Sequence, residues 1–184
     1  MSTCPTDPRD AYLRDPIAGP AAWSAPDLAA DDGWIQALNA DEVAEIDAAF
    51  RAAKARGLDY TTVRKADFPL PKLAGKLTAL LDQLENGRGV ALLRGLPVQN
   101  YDDEDLRLLW AGIGTYIGPL LPQSLEGKLI RDVRDEASGK FAKHAPSVTE
   151  GSLTSTQKAQ SNGPLRFHTD RADVLGLLCV RQAQ

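Results

Sequence analysis

The sequence predicts an α+β domain, and two observations carry that reading. Three stretches repeat apolar side chains at spacings of three and four, the period of an amphipathic helix. Between and after them lie short apolar runs, too short for helices and suited to strands. The chain has 184 residues, enough to bury one sizeable core. Its 43% hydrophobic and 25% charged content is that of an ordinary globular domain.

In chain order, residues 1–33 come first. They hold five prolines and several aspartates, so they read as an irregular arm. Trp23 and Trp34 are expected to pin that arm to the body, which begins at residue 34. The first helix is expected at 41–56, where Val43, Ile46, Phe50 and Ala53 share a face. Asn39 or Asp41 caps its start and Gly57 ends it. Its acidic residues open the helix and its basic residues close it, which suits the helix dipole.

A second helix is expected at 72–86, with Leu73, Leu77, Leu80, Leu81 and Leu84 in a stripe and Gly87 as the stop. Residues 89–95, Gly-Val-Ala-Leu-Leu-Arg-Gly, read as a buried strand bounded by glycines. A third helix is expected at 102–117, capped by Asp102 or Asp103. Its apolar face is Leu106, Leu109, Trp110, Ile113 and Ile117. Gly112 and Gly114 each cost that helix about 1 kcal/mol relative to Ala, unless they serve to let another backbone approach closely. Residues 128–134 read as a partly exposed strand, and 135–163, polar and aperiodic, as a long loop. The last strand is expected at Val174–Val180.

Composition removes several function classes. The net charge is −4, and no Lys/Arg cluster with interleaved aromatics marks a nucleic-acid surface. The first twenty residues lack the apolar core of a secretory signal. The longest apolar run, at 174–180, is far too short to span a bilayer. Cys4 and Cys179 have no evident pairing, which fits a reducing cytoplasm. Oligomeric state is not readable from the sequence.

The chemistry concentrates at His168-Thr169-Asp170. In an extended segment, residues i and i+2 face the same side, their Cα atoms about 6.5–7 Å apart. An imidazole and a carboxylate so placed can close on one metal ion. With a second His they would form the 2-His-1-carboxylate set of non-haem Fe(II) oxygenases, which leaves positions open for a bidentate co-substrate and O2. On the tripeptide alone, an exposed polar turn ahead of a strand is the simpler reading.

The surroundings add a resemblance. Leu165-Arg166-Phe167-His168-Thr169-Asp170-Arg171-Ala172-Asp173-Val174, then Leu177-Leu178-Cys179-Val180-Arg181, resembles the iron-binding segment of the taurine dioxygenase-like (TauD/TfdA) family. Upstream, Gly89 to Val98 resembles that family's first core strand, and Tyr101 to Gly118 the helix after it. Pro122-Gln123-Ser124 and Leu129 to Asp135 resemble the segments before its metal motif. The resemblance runs from about residue 23 to the end.

It implies Fe(II), with 2-oxoglutarate and O2 as co-substrates, and hydroxylation or desaturation of a small molecule. It makes His168 and Asp170 the first two metal ligands. It implies a double-stranded β-helix, or jelly roll, with flanking helices, of which residues 34–184 are the N-terminal part. The family's third ligand is a distal His, followed about a dozen residues later by an Arg for the 2-oxoglutarate carboxylate. Neither has a counterpart here. His144 precedes the motif in the polar loop, and Arg171 and Arg181 lie too close to it. Arg166 stands where a small residue or Pro is more usual.

The expectation is therefore an incomplete oxygenase domain, inactive and poorly stable by itself. The alternative is a non-catalytic binding or interaction module that keeps part of the scaffold. Arg94, Arg131 and Arg134 are candidates to meet an acidic substrate or to form surface ion pairs.

Overall fold

The computed structural model describes residue 16 and residues 18–123, 127–134, 168–170 and 172–181. They fall into two compact units, residues 1–118 with 180–184, and residues 119–179. All regular secondary structure among the described residues lies in the first. In chain order it contains α1 (Ala25–Ala30), β1 (Ile35–Ala37), α2 (Ala40–Ala55), α3 (Ala74–Glu85), β2 (Leu92–Arg94) and α4 (Asp103–Gly114). Single 3-10 turns form at Lys65–Asp67 and Val98–Asn100.

α2 starts where its sequence can satisfy its own end. The Glu42 N–H donates to the Asn39 side chain (2.9 Å), and the Asn39 N–H donates back to the Glu42 carboxylate (2.8 Å). This reciprocal box satisfies two backbone donors that would otherwise lack partners, and such a cap is worth about 1 kcal/mol. Gly57, at φ +73°, terminates the helix in a conformation that suits glycine. The buried face is Ile46, Ala49, Phe50 and Ala53, and it packs on α4. α4 is capped by Asp102, which accepts from the Asp105 N–H (2.8 Å), and it buries Leu106, Leu108, Leu109, Ala111 and Ile113.

α3 solves its start differently. Its N-cap, Leu73, has no side chain to offer, and Glu45 reaches across from α2 instead. One carboxylate accepts from the Lys72 and Leu73 N–H groups (both 2.9 Å). Of the leucine stripe, Leu73 and Leu77 are buried, while Leu80, Leu81 and Leu84 are half-buried.

Phe68 sits fully buried between the helices. Gly112 makes room for it: a Cβ at that position would stand 2.5 Å from the ring. The glycine weakens α4 as a helix and permits its packing, so the close neighbour is a phenyl ring rather than a backbone. Tyr116 fixes the adjoining chain, donating to the Phe68 carbonyl (3.0 Å) and accepting from the Leu70 N–H (2.8 Å).

Several expectations need correcting. The arm contains a helix, α1, whose Ser24 N–H donates to Asp27 (2.7 Å). The strand at 89–95 shortens to β2, which is half-buried. β2 pairs in parallel with β1, which the sequence reading lacked, in the register Ile35 to Leu92 and Ala37 to Arg94. A parallel pair needs a crossover, and α2 and α3 supply it.

Residues 128–134 and 174–180 form no strand. Apolar alternation makes a segment eligible for a sheet, but a strand exists only through a partner's ladder bonds. No described segment supplies one here. Leu175 and Leu177 are correspondingly 52% and 73% exposed. The loop at 135–163 lies outside the described residues.

Candidate metal centre

The sequence places His168 and Asp170 two residues apart, and the structure brings their polar atoms together. His168 Nε2 lies 3.9 Å from Asp170 Oδ2. Both side chains are about half exposed, at 51% and 47%, so an ion could reach them from solvent. Two ligands at right angles, each about 2.1 Å from one ion, stand about 3 Å apart. The pair is therefore about 1 Å wider than a closed pincer. One neutral nitrogen donor and one anionic oxygen suit a divalent first-row metal. Among the described residues no group of three or more His, Cys, Asp or Glu converges, so the pair would be at most part of a donor set.

His144 and Arg171 lie outside the described residues. Arg134 pairs with Asp132 at 3.3 Å, which favours the surface-ion-pair role. Arg94 is exposed at the end of β2, and Arg131 is half-buried. Cys179 is exposed. Trp23 and Trp34 act as pins: their indoles donate to the carbonyls of Arg88 (2.8 Å) and Leu28 (3.3 Å).

One polar cluster escaped the sequence reading. A shallow groove of about 520 Å³ runs along α2, lined in part by Val43, Asp47, Arg51, Pro97 and Tyr101. Asp47 accepts from Arg51 (2.7 Å) and from the Tyr101 hydroxyl (3.0 Å). These bonds, Arg51 foremost, hold the Asp47 carboxyl below its usual range. The i, i+4 spacing of Asp47 and Arg51 was a visible signal. Tyr101, 54 positions beyond Asp47, gave none. Neither His168 nor Asp170 lines this groove.

Comparison with known proteins supplies the wider setting. The profile of the Taurine catabolism dioxygenase TauD, TfdA family matches residues 54–184, a span that includes both metal-donor candidates. The chain belongs to this family, whose members are generally Fe(II)- and 2-oxoglutarate-dependent and act on small molecules. It is similar to "FR-33289 synthase" of Streptomyces rubellomurinus, at 27% identity over 94% of this chain and 48% of that protein. It is also similar to "Taurine hydroxylase-like protein SAT17" of Stachybotrys chartarum, at 28% identity over 88% of this chain and 41% of that protein. The chain thus spans about half the length of these curated relatives. Among the described residues, no helix is long and apolar enough to cross a membrane.

Proposed function

We propose that these 184 residues are the N-terminal part of a cytoplasmic Fe(II)- and 2-oxoglutarate-dependent dioxygenase. It hydroxylates or desaturates a small molecule, and His168 and Asp170 are two of its three metal ligands. The observation that carries this reading is the convergence of those two donors, at 3.9 Å, within the span that matches the family. When bound, iron supplies the redox chemistry that couples substrate oxidation to oxidative decarboxylation of 2-oxoglutarate.

The chain's own contribution is to present a neutral imidazole nitrogen and a carboxylate oxygen from one short segment. Residues 168–180 then enter a jelly roll that further chain completes. The third ligand and the Arg for the 2-oxoglutarate carboxylate belong to that further chain. The half-length coverage of both relatives supports this division. Residues 1–33 are the arm of the domain and 34–184 its N-terminal part, inactive when isolated.

Anaerobic Fe(II) titration of the 184-residue chain tests the site. His168→Ala and Asp170→Ala are each expected to weaken binding by about tenfold or more. Indistinguishable binding by the wild type and His168→Ala overturns the ligand assignment. Sustained conversion of 2-oxoglutarate to succinate by this chain alone overturns the claim that it lacks part of the active site.

A further inference from the structure

We infer that residues 19–33 form a strap, clasped to the body at Arg88 and released by ionic strength while the helical core stays folded. Three contacts carry the argument, and all end on one residue. The Trp23 indole donates to the Arg88 carbonyl at 2.8 Å. The Arg88 guanidinium reaches the Asp27 carbonyl at 3.5 Å and forms an ion pair with Asp31. Arg88 stands in the turn between α3 and β2, beside Gly89 at φ +72°.

Apart from these contacts, the strap is held by the bond from the Trp34 indole to the Leu28 carbonyl (3.3 Å). α1 contributes no buried residue, and Trp23 is 41% exposed. α2 and α4, in contrast, bury Ile46, Phe50, Leu106 and Leu109. The two parts therefore rest on different forces. The Arg88–Asp31 pair, whose aspartate is 55% exposed, is weakened by dissolved salt. Apolar burial in the core is not weakened that way. Salt should then uncouple the strap from the body.

Rapid hydrogen exchange, read by mass spectrometry on the whole 184-residue chain, tests this. Raising salt from about 0.05 M to about 1 M shortens the screening length from about 14 Å to about 3 Å. Exchange in residues 24–33 is expected to rise about threefold to tenfold, with α2 and α4 changing less than twofold. Asp31→Asn should give the same release at low salt and abolish the salt effect, and Arg88→Ala should release the strap further. Asp31 is exposed enough that its Asn variant serves even where Arg88→Ala fails to fold. Strap exchange unchanged by both Asp31→Asn and salt overturns the inference. So does exchange that rises equally in the strap, α2 and α4, because the strap would then be part of one cooperative unit.

Discussion

Glu42 holds three pieces of the fold from one carboxylate. It is 6% exposed, accepts from the Asn39 N–H, and takes the Lys76 ammonium at 2.6 Å. Lys76 also donates to the Ala37 carbonyl (2.6 Å), so α2, α3 and the end of β1 meet there. Lys76 first, and the Asn39 N–H second, keep the Glu42 pKa below its ordinary 4.5. A depressed folded pKa contributes stability above about 4.5 that is lost as pH falls through the folded value. Glu42→Gln is therefore expected to cost about 1–2 kcal/mol at neutral pH, where it leaves Lys76 without its charge partner. The gap should narrow towards about pH 3, and urea midpoints at the two pH values check it. Tyr101 works in the opposite sense. Burial, then its bond to Asp47, pushes its pKa from 10.0 up to about 12. That contribution is full below 10 and is lost as pH rises towards 12. Tyr101→Phe should remove this alkaline loss from a pH series of unfolding midpoints.

At the scale of elements, the helices were legible because their cause is local. The expected 41–56, 72–86 and 102–117 appear as Ala40–Ala55, Ala74–Glu85 and Asp103–Gly114, with Asn39 and Asp102 as caps. The strands were legible only in part, because pairing is a property of two segments: 89–95 shortens to Leu92–Arg94, and 128–134 and 174–180 form no strand. β1 carries no alternation that marks it, and it exists because Leu92–Arg94 lies alongside. The two polar clusters divide in the same way. His168 and Asp170 were visible as neighbours in sequence, whereas the Tyr101–Asp47 contact joins residues 54 positions apart. Gly112 shows a local signal overruled by packing. Gly112→Ala improves helix propensity by about 1 kcal/mol, yet its methyl meets the Phe68 ring at 2.5 Å. The ring is fully buried, and a close-packed interior resists its displacement. A net loss of about 1–2 kcal/mol is expected, as for overpacked cores generally. Thermal unfolding measures it, and an unchanged or raised midpoint would show that Phe68 has room to move.

The whole molecule combines a unit with a packed helical core and a second unit with conspicuous apolar exposure. Among the described residues, the buried apolar side chains, Phe68, Leu70, Leu77 and Leu109 included, all belong to the first. Leu175 and Leu177 belong to the second and are 52% and 73% exposed. They alternate with Gly176, so an extended backbone would put both on one face. Such a segment, apolar and without ladder partners among the described residues, invites pairing with another copy. The isolated chain is expected to self-associate as concentration rises, and Leu175→Ser with Leu177→Ser to suppress it, as read by light scattering. The helical unit's unfolding midpoint should stay the same, because neither leucine contributes to its core. A lowered midpoint would mean instead that these side chains stabilise the helical unit. The two readouts thus separate an apolar surface awaiting a cover from one already in use, a distinction that matters in a chain spanning half the length of its relatives.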